Sequence, residues 1–271
     1  SIWFGYEQAI LNVKHGENLY FPSDFTEGKS SIKINGLIWM GNVDFMQTQI
    51  EEKLELGFDC IKLKIGVDWN SEKEILRKLR EKFPKEQLEL RVDANGGFTF
   101  EEAKTVLNEL DELGIHSIEQ PIKAGFISEM EKLCSETKTP IALDEELIDV
   151  VDFEEKRKLL EKIKPQYIIL KPALIGGFSG TDEWISLAEN LGIGWWITSA
   201  LESNIGLNAI AQYTFSKGNK MPQGLGTGGR AFGHPSGPWS QRHPQAGAGD
   251  VRAGGHPRTE DAAGRLSAPV V

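Results

Sequence analysis

The sequence predicts an α/β protein, a TIM-type (β/α)7β barrel, on three observations. Short runs of aliphatic and β-branched residues alternate with charged, amphipathic segments along most of the chain. The first strand-to-helix turn, Met40-Gly41-Asn42-Val43, lacks the glycine-rich phosphate pattern that a doubly wound open sheet normally carries there. Ionisable residues close successive strands at intervals of one βα unit, as they do at the mouth of a barrel.

In chain order, strands are expected at Ile34–Met40, Cys60–Ile65, Leu88–Asp93, Ser117–Gln120, Ile141–Asp144, Tyr167–Lys171, Gly194–Ser199 and Gln223–Gly226. Helices are expected between them at Val43–Leu56, Ser71–Lys82, Phe100–Leu113, Ile127–Thr137, Phe153–Ile163, Gly180–Leu191 and Asn204–Phe215. Thr99-Phe100-Glu101-Glu102 has the form of a capping box, in which hydroxyl and carboxylate serve each other's backbone N–H. Gly57, Gly114 and Gly192 fall where helices end in a left-handed residue. Strand, helix, strand in strict alternation is how parallel βα units are written.

Composition excludes some functions. With 39 % apolar and 26 % charged residues the chain reads as a soluble globular protein, and no apolar run approaches the roughly eighteen residues that span a bilayer. A formal net charge of −10 argues against nucleic acid or an anionic membrane as partner. Cys60 and Cys134 match no metal or redox spacing, and the opening SIWFGYEQAI lacks a secretory pattern, so buried, reduced thiols in a cytoplasmic protein are expected.

The composition changes sharply near the end. Through Gly228 the chain has 21 lysines and 4 arginines; from Gly229 onward it has no lysine, 5 arginines, 8 glycines and 5 prolines. Such a stretch shows no helical or strand periodicity and offers little apolar surface to offset its ordering entropy, so 229–271 is expected to be a disordered or foreign tail. His234, His243 and His256 lie 9 and 13 residues apart, which is not the ligand spacing of a helix face.

The informative residues are Lys64, Asp93, Glu119, Asp144 and Lys171, each at the end of an apolar strand and separated by 29, 26, 25 and 27 residues. One such charge is ordinarily a solvated loop residue or half of a salt bridge; five at matching positions on consecutive strands converge at one place. Three carboxylates brought together repel unless a cation meets them. Oxygen-only donors, one per strand, suit a hard ion such as Mg²⁺ rather than zinc. Lys62 and Lys64 share a strand face and need a carboxylate cluster opposite. A lysine beside a divalent cation has a lowered pKa and can take a proton next to a carboxylate, whose developing charge the cation stabilises.

Together, Lys62-Leu63-Lys64, Asp93-Ala94-Asn95, Glu119-Gln120-Pro121, Asp144-Glu145, Lys171-Pro172 and Ser199-Ala200-Leu201-Glu202-Ser203 resemble the muconate-lactonizing branch of the enolase superfamily. The resemblance runs from Ser1 to Gly228. Within that branch, Arg-x-Asp-Ala-Asn at 91–95, TSALESNIGL at 198–207 and QGLGTG at 223–228 are most similar to the o-succinylbenzoate synthases of menaquinone biosynthesis.

The resemblance implies Asp93, Glu119 and Asp144 as Mg²⁺ ligands and Lys64 as the base of a syn dehydration of a small carboxylate substrate. It implies that Lys171 stabilises the enediolate across the ring, and that Lys62, Arg91, Asn95 and Ser199 position substrate or ligands. It also implies that residues 1–30 are the end of an α+β capping domain and its linker, with the catalytic barrel at 31–228. A homo-oligomer is left open. Two rivals stand beside this reading: a dipeptide epimerase or N-acylamino acid racemase with the same lysines as acid and base, and a barrel that binds metal without turnover. Epimerases of the branch carry an acidic pair near the eighth strand, and Gly224-Leu225-Gly226-Thr227-Gly228 has none.

Overall fold

The computed structural model describes residues 2–226 and, as backbone, Asp250–Arg252. Seven parallel strands hydrogen-bond in sequence order: β2 (Gly36–Ile38), β3 (Cys60–Lys64), β4 (Glu89–Asp93), β5 (Ser117–Glu119), β6 (Ile141–Leu143), β7 (Tyr167–Leu170) and β8 (Gly194–Ile197). The expected eighth strand is reduced to two residues, and these close the ring. Gln223 N–H donates to the Lys33 carbonyl at 2.9 Å and Gly224 N–H to the Ile197 carbonyl at 2.8 Å. In return, Asn35 and Ser199 N–H donate to the carbonyls of Gln223 and Gly224, both at 3.0 Å. The parallel bridges Ile34–Gln223 and Thr198–Gly224 make this segment the eighth stave, so the (β/α)7β barrel is formed.

Helices α2 (Val43–Glu55), α3 (Trp69–Lys82), α4 (Phe100–Glu112), α5 (Ile127–Glu136), α6 (Phe153–Ile163), α7 (Gly177–Leu191) and α8 (Asn204–Ser216) connect the staves. Helix α4 shows why they pack as they do: Ala103, Val106, Leu107 and Leu110, at i, i+3, i+4 and i+7, form one buried stripe. That stripe belongs to the same core as the outward side chains Leu63, Leu90, Val92 and Ile118, all fully buried. Asn42, Asp68, Thr99, Asp152 and Ser203 each accept a backbone N–H at a helix start, and the Thr99–Glu102 capping box is complete. Inside the barrel, Ala142, Ile169 and Trp196 form a separate apolar plug with Tyr167 and Met221. Cys60 and Cys134 are free and buried. Among the described residues no helix is long and apolar enough to cross a membrane.

Residues 2–30 are tied to the barrel by side-chain and backbone contacts. Helix α1 (Ile2–His15) docks on the start of α7, where the Glu7 carboxylate accepts Phe178 N–H at 2.5 Å and Ser179 N–H at 3.0 Å. Gln212 of α8 accepts the N–H groups of Tyr20 and Phe21 at 2.7 and 3.0 Å. A short strand follows, β1 (Ser31–Lys33), paired antiparallel with β9 (Asp250–Arg252). Three residues of the expected tail at 229–271 thus pair as a strand without strand periodicity, because backbone pairing to an edge needs no apolar alternation. The rest of that expected tail lies outside the described residues.

Register sets the height of the site. Lys64 pairs with Asp93, and Asp93 with Glu119, without offset. Glu119 pairs with Ala142, so Asp144 lies two residues further; Leu143 pairs with Ile168, so Lys171 lies two residues beyond the partner of Asp144. A barrel with a shear of about eight over eight staves advances about one residue per stave at constant height. The offsets of zero, zero, two and two over four steps match that advance and keep all five side chains on the inner face.

Candidate active site

Three carboxylates and three ammoniums meet at the C-terminal mouth. Lys62 Nζ lies 2.7 Å from Glu119 Oε2 and 3.4 Å from Asp93 Oδ2. Lys64 Nζ lies 2.6 Å from Asp93 Oδ2 and also donates to Asn95 Oδ1. Lys171 donates to Asp144 and stands 4.0 Å from Glu119 Oε1. Asp93, Glu119 and Asp144 are all buried, so their charges interact through little water.

The protonation equilibria follow from that crowding. Burial pushes Asp93 and Asp144 up from the usual carboxylate value, Asp144 strongly, and the Glu119 charge adds to both. Burial would raise Glu119 as well, but the ammoniums of Lys62 and Lys171 overcome it and hold the group at about 2. Burial would lower Lys62 and Lys171; facing Glu119, Asp93 and Asp144, both are raised instead. The lowered lysine pKa expected from sequence presupposes that a cation has already met the carboxylates. With the lysines as counter-ions, the sign reverses at Lys171.

Each of the remaining sequence candidates has a definite place. Asn95, with φ 44°, donates its N–H to Asp93 Oδ1 at 3.1 Å and its amide to Glu145 Oε1 at 2.8 Å, so it braces Asp93 and Lys64 together. Ser199 is buried, and its hydroxyl donates to the Gly224 carbonyl at 3.3 Å. Arg91 is not at the mouth. It is two residues below Asp93 on the same inner face, 1 % exposed, with its guanidinium 4.1 Å above the Trp196 ring and hydrogen-bonded to Glu89 and the Pro222 carbonyl. Alternation along a strand fixes a side chain's face but not its height, so Arg91 shares the inner face of Asp93 yet lies on the barrel floor, below the cluster.

A cavity of about 230 Å³ opens over the lysines, lined also by Asn35, Trp39, Thr198 and Gly224. On the stave opposite Glu119, a Cβ at Gly224 would fall 2.2 Å from the Thr198 hydroxyl, so only glycine leaves the wall open here. On the cavity lining, Asn35 Oδ1, Thr198 Oγ1 and Glu119 Oε1 are buried without a hydrogen-bond partner, as expected where a ligand completes the bonding. Sequence reasoning gave no role to Asn35, nor to Thr198 and Glu202, which it quoted only as part of the TSALESNIGL stretch. Burial raises the Glu202 carboxyl. Among the described residues, no three His, Cys, Asp or Glu side chains are placed to hold a metal ion as they stand, because the lysines take up the carboxylate oxygens.

The sequence pattern of the enolase C-terminal domain-like family matches residues 46–241. The chain belongs to that family. Among relatives of this enolase-type barrel, an o-succinylbenzoate synthase from Desulfotalea psychrophila is 52 % identical over 230 residues, covering 84 % of this chain and 62 % of the relative. An N-succinylamino acid racemase from Thermus thermophilus is 36 % identical over 157 residues, covering 58 % of this chain and 40 % of the relative. The crystal structure of MenC from Desulfotalea psychrophila LSv54 superposes with a TM-score of 0.74 at 53 % identity, over 79 % of this chain and 59 % of that one. The chain thus spans about three-fifths or less of the relatives it matches.

Proposed function

We propose that this chain is the catalytic barrel of a Mg²⁺-dependent lyase that forms o-succinylbenzoate by syn dehydration of a carboxylate substrate, a step of menaquinone biosynthesis. The observation that carries the reading is the placement of Lys64 and Lys171 on opposite staves, with three buried carboxylates on the staves between them. The 52 % identity to a synthase, and a last stave with glycine where an epimerase would carry acid, favour dehydration over epimerisation.

The donor set fits the metal. Asp93, Glu119 and Asp144 supply only hard oxygen, and Glu119 Oε1 is buried with no partner among the lysines within hydrogen-bond reach. When bound by these three carboxylates, Mg²⁺ would supply positive charge for the substrate carboxylate as negative charge develops there. Lys64 Nζ takes the α-proton and delivers it to the departing hydroxyl on the same face, so one C–H and one C–O bond break, a C=C bond forms and water leaves. Lys171 places a fixed positive charge against the opposite face. Asn95 keeps Lys64 and Asp93 in register, and Lys62 holds Asp93 and Glu119 at their common depth.

The deciding experiment assays the protein with and without Mg²⁺ against the dehydration substrate and a dipeptide panel, alongside the melting temperature of Asp93→Asn. Mg²⁺ is expected to raise the melting temperature of the wild type but not of the variant. An equal shift in both overturns the metal site, and a Mg²⁺ shift with no turnover of any substrate supports the barrel that only binds metal.

A further inference from the structure

We infer that Gln120 is a positioning residue that sets the carboxylates of three neighbouring staves into one metal-binding arrangement. It follows Glu119 directly, is fully buried, and has φ 40°, a left-handed conformation that a residue with a Cβ rarely adopts. Such strain persists only where surrounding bonds over-determine it.

Those bonds lead to every carboxylate-bearing strand end. The backbone N–H of Gln120 donates to the Ala142 carbonyl at 2.9 Å, and its own carbonyl accepts Gly96 N–H, past the end of β4, at 2.7 Å. Its side-chain Oε1 accepts the backbone N–H of Asp144 at 3.1 Å and of Glu146 at 3.3 Å. Its Nε2 donates to the Ile122 carbonyl at 3.0 Å and to Glu146 Oε2 at 3.1 Å. Glu146, 6 % exposed, anchors the amide from beyond and accepts Gly125 N–H at 2.7 Å.

The consequence is mechanical. Asp144 lies one residue beyond the β6 ladder and begins a turn of 3-10 helix at Glu145–Leu147. The β-ladder therefore does not fix its height; the Gln120 amide does. With Asp144 tied to the residue that follows Glu119, the two carboxylates cannot move apart independently, and the Gly96 contact extends the tie to the loop beyond Asp93. Partners behind the ligands orient them, and losing such a partner commonly costs about 10–100-fold in metal affinity.

The inference rests on the proposed Mg²⁺ site, and calorimetric titration with Mg²⁺ alone tests both separately. Gln120→Gly relieves the backbone strain while removing the amide, and is expected to weaken Mg²⁺ binding at least about tenfold. Glu146→Gln leaves Gln120 in place but withdraws one acceptor, and should weaken binding by about threefold or more. Leu110→Ala, a destabilising core change on α4, serves as the control and should leave Mg²⁺ affinity unchanged. Mg²⁺ affinity of Gln120→Gly and Glu146→Gln within twofold of wild type would overturn the positioning role while leaving the metal site intact. Absence of Mg²⁺ binding by wild type would overturn both, and equal loss in Leu110→Ala would reduce the effect to general destabilisation and likewise overturn it.

Discussion

Lys64 and Lys171 stand on opposite staves of the barrel, each drawn onto a different carboxylate: Lys64 donates to Asp93 at 2.6 Å and Lys171 donates to Asp144. With eight staves, four steps apart is diametric, so a substrate lying between them presents one face to each amine. The third amine, Lys62, lies one layer lower and holds the cluster from beneath.

That lower position makes Lys62 a stability residue before it is anything else. Lys62→Met removes the only ammonium within hydrogen-bond reach of Glu119 among the described side chains, and leaves buried carboxylates partly unpaired. The expected cost without metal is about 3–5 kcal/mol in urea unfolding. Added Mg²⁺ should return part of it, and a loss under about 1 kcal/mol would show that the carboxylates do not depend on this lysine.

Arg91 allows a sharper separation of floor from mouth. Because its guanidinium stacks on Trp196 and pairs with Glu89 below the cavity, Arg91→Leu should cost about 2–4 kcal/mol of stability. The KM of whatever substrate the barrel turns over should stay within about twofold, since no interaction made by bound substrate is lost. A large KM increase at unchanged stability would return Arg91 to the substrate side.

The barrel floor also carries a pH signature. His116 is half-buried against Tyr167, with Nδ1 2.9 Å from the Ser117 hydroxyl. Burial lowers its pKa, Arg91 lowers it further, and Glu89 opposes both. A depressed pKa means that the native state prefers the neutral ring: this contribution is whole above the unfolded value of about 6.5 and is lost as pH falls through the folded value. Unfolding free energies of wild type minus His116→Gln should therefore shrink below about pH 6.5. A difference that stays flat or grows on acidification contradicts the assignment.

Much of the fold was legible because the barrel's logic is local. Alternation from β to α, the Thr99 capping box and the charged ends of Lys64, Asp93 and Glu119 follow from residue types at fixed spacings. Asp144 and Lys171 were legible as residues, but the sequence placed both inside their strands, whereas each lies one position past its ladder. What stayed hidden depends on depth and on long-range partners. Arg91 entered through the Arg-x-Asp-Ala-Asn resemblance, which says nothing of its depth in the barrel, and nothing in the type of Thr198 or Asn35 signals a cavity wall. Glu7, capping α7 across 171 residues, was invisible because its partners are backbone N–H groups.

The lysines finally separate dehydration from epimerisation. A syn elimination needs one base on the face from which both proton and hydroxyl leave; an epimerase needs a proton donor on the other face too. Lys64→Ala is expected to abolish dehydration, because no other amine faces the cavity from that stave at the height of Asp93. Lys171→Ala should be severely impaired through lost charge. Lys171→Arg should keep measurable dehydration because the charge survives, whereas its guanidinium, with a pKa above about 12, neither gives nor takes a proton readily near neutrality. The same arginine variant should have no epimerase activity in either direction. Activities of both kinds are read on one preparation with Mg²⁺ present, by absorbance for the aromatic product and by exchange of the α-proton in deuterated water for the epimerase. Wild-type epimerisation of a dipeptide without any dehydration would replace the synthase reading and leave the barrel and its carboxylates untouched.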